Sequence, residues 1–139
     1  MKKKLDKTGE KEFKELVLVM RRLLAKDGCP WDRAQTHSSL LKYLREEADE
    51  VAQAVKKSDW KNLEEELGDL LLQSVFHAEL ARLSGRFGIG GVISGITKKL
   101  IRRHPHVFGG KKLRTPEQVV TQWNKIKKIE KGGKSRKTS

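Results

Sequence analysis

The 139-residue chain has one cysteine, one tyrosine, three prolines and an aromatic fraction of 6%, and each scarcity excludes something. A lone Cys29 cannot close an internal disulfide, so a reducing, cytoplasmic setting fits. No apolar run of signal-peptide or membrane length follows the basic start, because Arg21, Arg22 and Lys26 interrupt the first helical stretch. A soluble protein with no membrane partner is expected. Strand-type alternation is nearly missing, whereas apolar residues recur at spacings of three and four. In a chain long enough for one hydrophobic core, that pattern predicts an all-α fold, an antiparallel bundle of about five helices.

Acids are scarce at both ends. The net charge of +13 comes from 31 Lys and Arg against 18 Asp and Glu, the signature of a nucleic-acid binder. A basic helical nucleic-acid-binding or scaffolding module without catalysis is therefore the alternative reading. Lys2, Lys3, Lys4 and Lys7 crowd the start and Lys125, Lys127, Lys128, Lys131, Lys134, Arg136 and Lys137 the end, while the acids gather between Glu46 and Asp69. Basic ends around an acidic centre equally suit solubility or attraction of an anionic substrate, so nucleic acid is not required. Residues 1–8 read as a disordered basic N-terminus, 9–131 as one folded domain and 132–139 as a disordered basic tail.

Phe13, Leu16, Val17, Met20, Leu23 and Leu24 predict a helix over Glu12–Lys26, ended by Gly28 and Pro30. The run from Cys29 to His37 has no clean period and reads as a connection, with Ser38 or Ser39 capping the next helix. Helices over Ser39–Lys57 and Trp60–Ser84 follow, joined by a short polar turn that makes them antiparallel neighbours. The glycine-rich Ser84–Gly91 follows a helix, not a strand, so it is a turn and neither a Walker loop nor a Rossmann turn. A helix over Val92–Arg103 stops at His104-Pro105, a loop spans 106–110, and Thr115 with Pro116 opens the last helix.

The second and third helices carry near-copies of one acidic pattern, Leu44-Arg45-Glu46-Glu47-Ala48-Asp49-Glu50 and Leu63-Glu64-Glu65-Glu66-Leu67-Gly68-Asp69. At about 100° per residue, Glu47 and Glu66 lie about 60° from the leading leucine and Glu50 and Asp69 about 120° to the same side. Leu44, Ala48, Val51 and Val55, and Leu63, Leu67, Leu70 and Ser74, trace the apolar lines beside them. Glu46 and Glu65 fall about 160° away and point outward. Four carboxylates at similar heights on antiparallel helices would repel or take up protons unless a cation joins them. Hard oxygens without Cys or His suit Mg²⁺, or Mn²⁺. Surface acids are commonly just solvated; the duplication at matching angles favours a site. Lys98, Lys99, Arg102 and Arg103 on one helix, Arg86 in the glycine turn, and Lys125 are candidate counter-charges for phosphate. Gly68 costs its helix roughly 1 kcal/mol relative to Ala, which a close backbone or ligand approach would explain. Either Trp31 closes the edge of the core and His37 caps or hydrogen-bonds locally, or the two line a ligand pocket.

Cys29-Pro30-Trp31-Asp32-Arg33-Ala34-Gln35-Thr36-His37, the Glu46-Glu47-x-x-Glu50 and Glu66-x-x-Asp69 pair, Gly85-Arg86-Phe87 and Arg102-Arg103-His104-Pro105-His106-Val107-Phe108 together resemble the MazG family of nucleoside triphosphate pyrophosphohydrolases, over roughly residues 12–127. The acidic motif alone would match the wider all-α pyrophosphatase superfamily. The resemblance implies an all-α fold, Mg²⁺ dependence, and hydrolysis of canonical or non-canonical NTPs or dNTPs to monophosphate and pyrophosphate. It implies Glu47, Glu50, Glu66 and Asp69 as metal ligands and Lys99, Arg103 and Trp123 as substrate-contacting positions. Water would attack the α-phosphorus, with Glu47 or Glu50 as the general base, and Trp31, His37 and Trp123 are candidates for stacking on the base. Many relatives carry two tandem copies, and this sequence has one. A homodimer or larger homo-oligomer is expected, both from the resemblance and from apolar residues left over on the first and third helices.

Overall fold

A computed structural model describes residue 5 and residues 7–138 of the chain. Residues 1–4, 6 and 139, parts of the two expected tails, lie outside it. The described residues form helices and turns without a strand, and no described helix is long and apolar enough to cross a membrane. They divide into two compact units, residues 1–89 and 90–139.

The first unit holds α1 (Glu10–Leu24), α2 (Pro30–Arg33), α3 (Leu41–Lys56) and α4 (Trp60–Leu83). The three- and four-residue spacing of α1 buries Val17, Met20 and Leu24 on one face. The chain then folds back so tightly that a Cβ on Gly28 would stand 2.1 Å from the Leu23 carbonyl oxygen; only glycine fits there. The connection expected over 29–37 contains a helical turn instead. Pro30 occupies its first position, where a fixed φ suits the helix and a missing N–H costs nothing. The expected cap by Ser38 or Ser39 is not formed. Ser39 and Thr36 bond each other's backbone N–H groups at 3.0 and 2.8 Å, and α3 starts later, behind the buried Leu40.

α3 and α4 pack along each other. Their join is a three-residue turn, and the Asp59 carboxylate caps α4 by accepting from the Asn62 N–H at 3.2 Å. At the far end of α4, Gly85 takes a left-handed φ of 73° and the Arg86 N–H reaches back to the Ala81 carbonyl at 2.9 Å. The core joins Val17, Met20 and Leu24 to Leu40, Val75 and Phe76, with Phe13, Tyr43, Leu72 and Leu80 packed around it.

This core corrects the expected seam. Leu67 is 48% and Val55 53% exposed, and Leu44, Ala48 and Ser74 also face solvent. α1 packs on α4 at Val75 and Phe76, so it covers the C-terminal half of α4 and not the acidic half.

Glu79 is completely buried within this half. Its Oε2 accepts from Arg21 Nε at 3.2 Å and Arg82 Nε at 2.8 Å, both guanidiniums being less than half exposed. The ion triad fastens α1 to α4 across 58 residues of sequence.

The second unit holds α5 (Ile89–Arg103), α6 (Pro105–Phe108) and α7 (Pro116–Thr138). α5 begins inside the glycine run, earlier than the sequence suggested, and Pro105 starts a short turn where a loop was expected. Thr115 Oγ1 accepts from the Gln118 N–H at 3.2 Å, while Gln118 Oε1 accepts from the Arg114 and Thr115 N–H groups. This reciprocal cap sets the start of α7. α7 continues through Gly132 and Gly133 to Thr138, over residues whose composition suggested a tail.

Replacing Arg21 and Arg82 together by Met leaves the buried Glu79 carboxylate without counter-charge, and we expect a loss of about 3–5 kcal/mol. Urea unfolding measures it. A loss under about 1 kcal/mol would mean that water reaches Glu79 once the guanidiniums are gone.

Candidate active site

α3 and α4 set the acidic residues facing one another. Glu47, Glu66 and Asp69 each offer a carboxylate oxygen, and these oxygens lie within 4.8 Å of one another. Glu66 and Asp69 are one turn apart on α4, and Glu47 comes from α3. Glu50 lies outside this group of three, but its charge reaches Glu66. Glu46 and Glu65 are exposed, whereas Glu47 and Glu66 are half-buried.

The group is electrostatically unsatisfied. Loss of hydration, a hydrogen bond with Glu47, and the charges of Glu47, Glu50 and Asp69 push Glu66 from 4.5 up to about 7. Glu47 Oε2 is buried and has no hydrogen-bond partner. An acceptor-only cluster with an orphaned oxygen and one proton-hungry member is a donor set for a hard divalent cation, so the residues fit the metal implied by the motif. Gly68 sits between the two α4 ligand candidates, and a Cβ there would meet nothing within 4 Å. The close backbone approach expected from its cost is not there; the space is open.

Other residues singled out from the sequence in the first unit take separate places. Trp31 is 52% exposed and meets Tyr43 edge-on, with ring centroids 5.7 Å apart. His37 does not bond locally. Its Nδ1 is 2.7 Å from Nδ1 of His77 on α4, the two rings stacked at 5.0 Å. Burial and then the proximity of His37 hold His77 below the usual histidine range, and its Nε2 is buried without a partner. His77 was not visible in the sequence as a site residue, because a single histidine on an apolar helix carries no sign of what faces it. Arg86 is exposed in the turn after α4.

Lys99, Arg103 and Trp123 belong to the second unit. Lys99 is half-buried on α5. Arg103 is engaged: its Nε donates to Glu130 Oε1 at 3.1 Å and its Nη2 to Oε2 at 3.3 Å, and Arg102 adds a bond to Oε2 at 3.2 Å. The Arg103 hydrogen bond leads, with Arg102 assisting and partial burial opposing, and Glu130 falls to about 2. Glu130 was also overlooked; the only signal was its isolation among lysines. Trp123 meets His104 edge-on at 5.4 Å, and its indole Nε1 is buried without an acceptor.

Such an architecture, all helices with carboxylates paired across two packed neighbours, defines a class of helical proteins built around an acidic cluster. Residues 35–108 match the family described as the MazG nucleotide pyrophosphohydrolase domain. The chain is 50% identical over 122 residues to a nucleoside triphosphate pyrophosphohydrolase/pyrophosphatase MazG of Thermotoga maritima, covering 88% of this chain and 46% of that protein. It is 39% identical over 125 residues to a nucleoside triphosphate pyrophosphohydrolase of Escherichia coli K12, covering 89% and 48%. The crystal structure of a mazG-related protein from Thermotoga maritima superposes with a TM-score of 0.70 at 34% identity, over 83% of this chain and 98% of that one. The chain belongs to the MazG nucleotide pyrophosphohydrolase family. It spans about half the length of these two curated relatives.

Glu66 yields a pH signature. A carboxyl raised from 4.5 to about 7 keeps its proton in the fold where the unfolded chain has already lost it. Its contribution to stability is therefore full below 4.5, declines as pH rises, and is gone above about 7. In chelator, the melting temperature of the wild type should fall over this interval relative to that of Glu66→Gln, as read by calorimetry. Parallel profiles would mean that Glu66 titrates normally.

Proposed function

We propose that this chain is a catalytic domain that hydrolyses nucleoside triphosphates, canonical or non-canonical, to nucleoside monophosphate and pyrophosphate by attack of water at the α-phosphorus. The observation that carries this reading is the convergence of Glu47, Glu66 and Asp69, with Glu66 still holding a proton near neutrality, in a chain of this family. Glu47, Glu50, Glu66 and Asp69 would hold Mg²⁺, with Mn²⁺ as a substitute. When bound, the ion supplies Lewis-acid polarisation of phosphoryl oxygens and acidification of coordinated water.

The protein groups do the rest. Glu47 or Glu50 takes the proton of the attacking water. Lys99, Arg103 and Arg86 are the positive groups assigned to phosphate, Arg for its bidentate fork. For Arg103 this requires that substrate phosphate compete with or share Glu130. Trp31, His37 and Trp123 are assigned to the base, and the unpartnered indole N–H of Trp123 provides a free donor. We also propose that the protein works in the cytoplasm as a homodimer or larger assembly. The support is apolar surface left open on the acidic half of the helix pair, at Leu44, Leu67 and Leu71, and on α5, where no residue is buried.

A panel of canonical and modified NTPs with Mg²⁺, assayed separately for pyrophosphate and orthophosphate, tests the reaction. Pyrophosphate should form with one or more of them. Orthophosphate alone would place cleavage between the β- and γ-phosphates and end the α-attack reading. Glu66→Gln and Asp69→Asn should each lower kcat by about 100-fold or more, which is about 2.7 kcal/mol of barrier, with helical circular dichroism unchanged; wild-type rates in both would remove the cluster from the chemistry. Gly68→Ala should stabilise the metal-free protein by roughly 1 kcal/mol, the cost of glycine inside a helix. A rise in KM in the same variant would show that the open space beside Gly68 receives the substrate, and an unchanged KM that it does not.

A further inference from the structure

The charge of the molecule is divided unequally. Residues 90–139 hold fourteen Lys and Arg against Glu117 and Glu130, a net +12, while residues 1–89 are nearly balanced at +1. Of the two acids in the second unit, Glu130 is already taken by Arg102 and Arg103. Lys125, Lys127, Lys128 and Lys131 of α7 each lie beyond ion-pair distance of any carboxylate among the described residues.

The free lysines are ordered. With Asn124 as reference, Lys127, Lys128 and Lys131 fall within about 100° of helix circumference. They line a cleft of about 360 Å³ together with Asn124, Arg103 and Glu130. The other side of α7 is half-buried at Val119, Trp123, Ile126 and Glu130. Like charges at three- and four-residue spacing weaken a helix, and three lysines against one carboxylate already paired with arginines leave the cleft with a net positive potential. An anionic chain laid along this face turns the repulsion into attraction.

We propose that the Lys127/Lys128/Lys131 face of α7 binds the phosphate backbone of nucleic acid, without reading its sequence. From Asn124 to Lys131 the helix rises about 10 Å, which spans about three successive phosphates of one strand at about 3.4 Å of axis each. A membrane surface fits less well, because a helix lying on lipid must insert one continuous apolar side, whereas Val119, Trp123 and Ile126 are half-buried and the exposed Val120 and Ile129 lie on opposite sides of α7. The proposal does not depend on the hydrolase reading, since none of the three lysines belongs to the residues assigned to that reaction.

The test uses the full chain, a labelled 20-base-pair duplex of random sequence and fluorescence anisotropy, without nucleotide or divalent metal. For about three phosphate contacts, affinity should fall by roughly 40-fold between 50 and 200 mM KCl. The triple variants K127E/K128E/K131E and K127Q/K128Q/K131Q should each bind at least tenfold more weakly than wild type, with unchanged circular dichroism. Glu66→Gln should bind the duplex as wild type does, so that failure of the hydrolase reading and failure of this one show separately. Absence of binding at 50 mM KCl, equal binding by wild type and the Gln variant, or binding to anionic vesicles in place of the duplex would each overturn the proposal.

Discussion

The repulsion among Glu47, Glu50, Glu66 and Asp69 is the constraint to which the rest of the first unit answers. Carboxylates facing one another across two packed helices must be held there by something else, because the acids themselves push α3 and α4 apart. The holding comes from the distal half of α4, where Val75 and Phe76 join Met20, Leu24 and Leu40 in the core. Apolar burial at one end of the helix pair keeps charges in place at the other. Loss of hydration, the hydrogen bond with Glu47 and then the neighbouring charges raise Glu66 to about 7, and the crowded acids give the cluster its appetite for a cation.

Two ionic arrangements in the chain solve the opposite problem. Glu79 is buried, and its Oε2 receives two guanidiniums while its Oε1 has no partner; the paired oxygen registers α1 against α4. Glu130 likewise gathers Arg102 and Arg103. In both, one carboxylate is given two arginines, whereas the acidic cluster is given none within the first unit's ion pairs. Acids given arginines tie helices together; the acidic cluster, given none, is left to a cation.

Much of this was legible in the chain. The helices of α1, α3 and α4 follow from three- and four-residue spacing, and the angular offset of Glu47 and Glu66 from Glu46 and Glu65 agrees with which of them are half-buried and which exposed. The apolar stripes misled, because periodicity reports which residues share a face and not whether another helix covers it. Leu67 and Val55 lie on the expected line and remain half-exposed. Short helical turns at Pro30 and Pro105 were also missed, since four residues are too few to display a period. Ser39 looked like a helix cap by type, and spent its hydroxyl on Thr36 instead.

By itself the sequence determined the helical class, the paired acidic motif and the family resemblance, because these depend on residue types at short, fixed separations along one helix. The tertiary structure alone decided which distant residues meet. It set His37 against His77 across 40 residues, Arg21 against Glu79 across 58, and Glu130 against Arg103 across 27. It also decided that three of the four expected carboxylates converge on one small space. No local pattern encodes such pairings, since they arise from how the helices pack once their apolar faces have been buried.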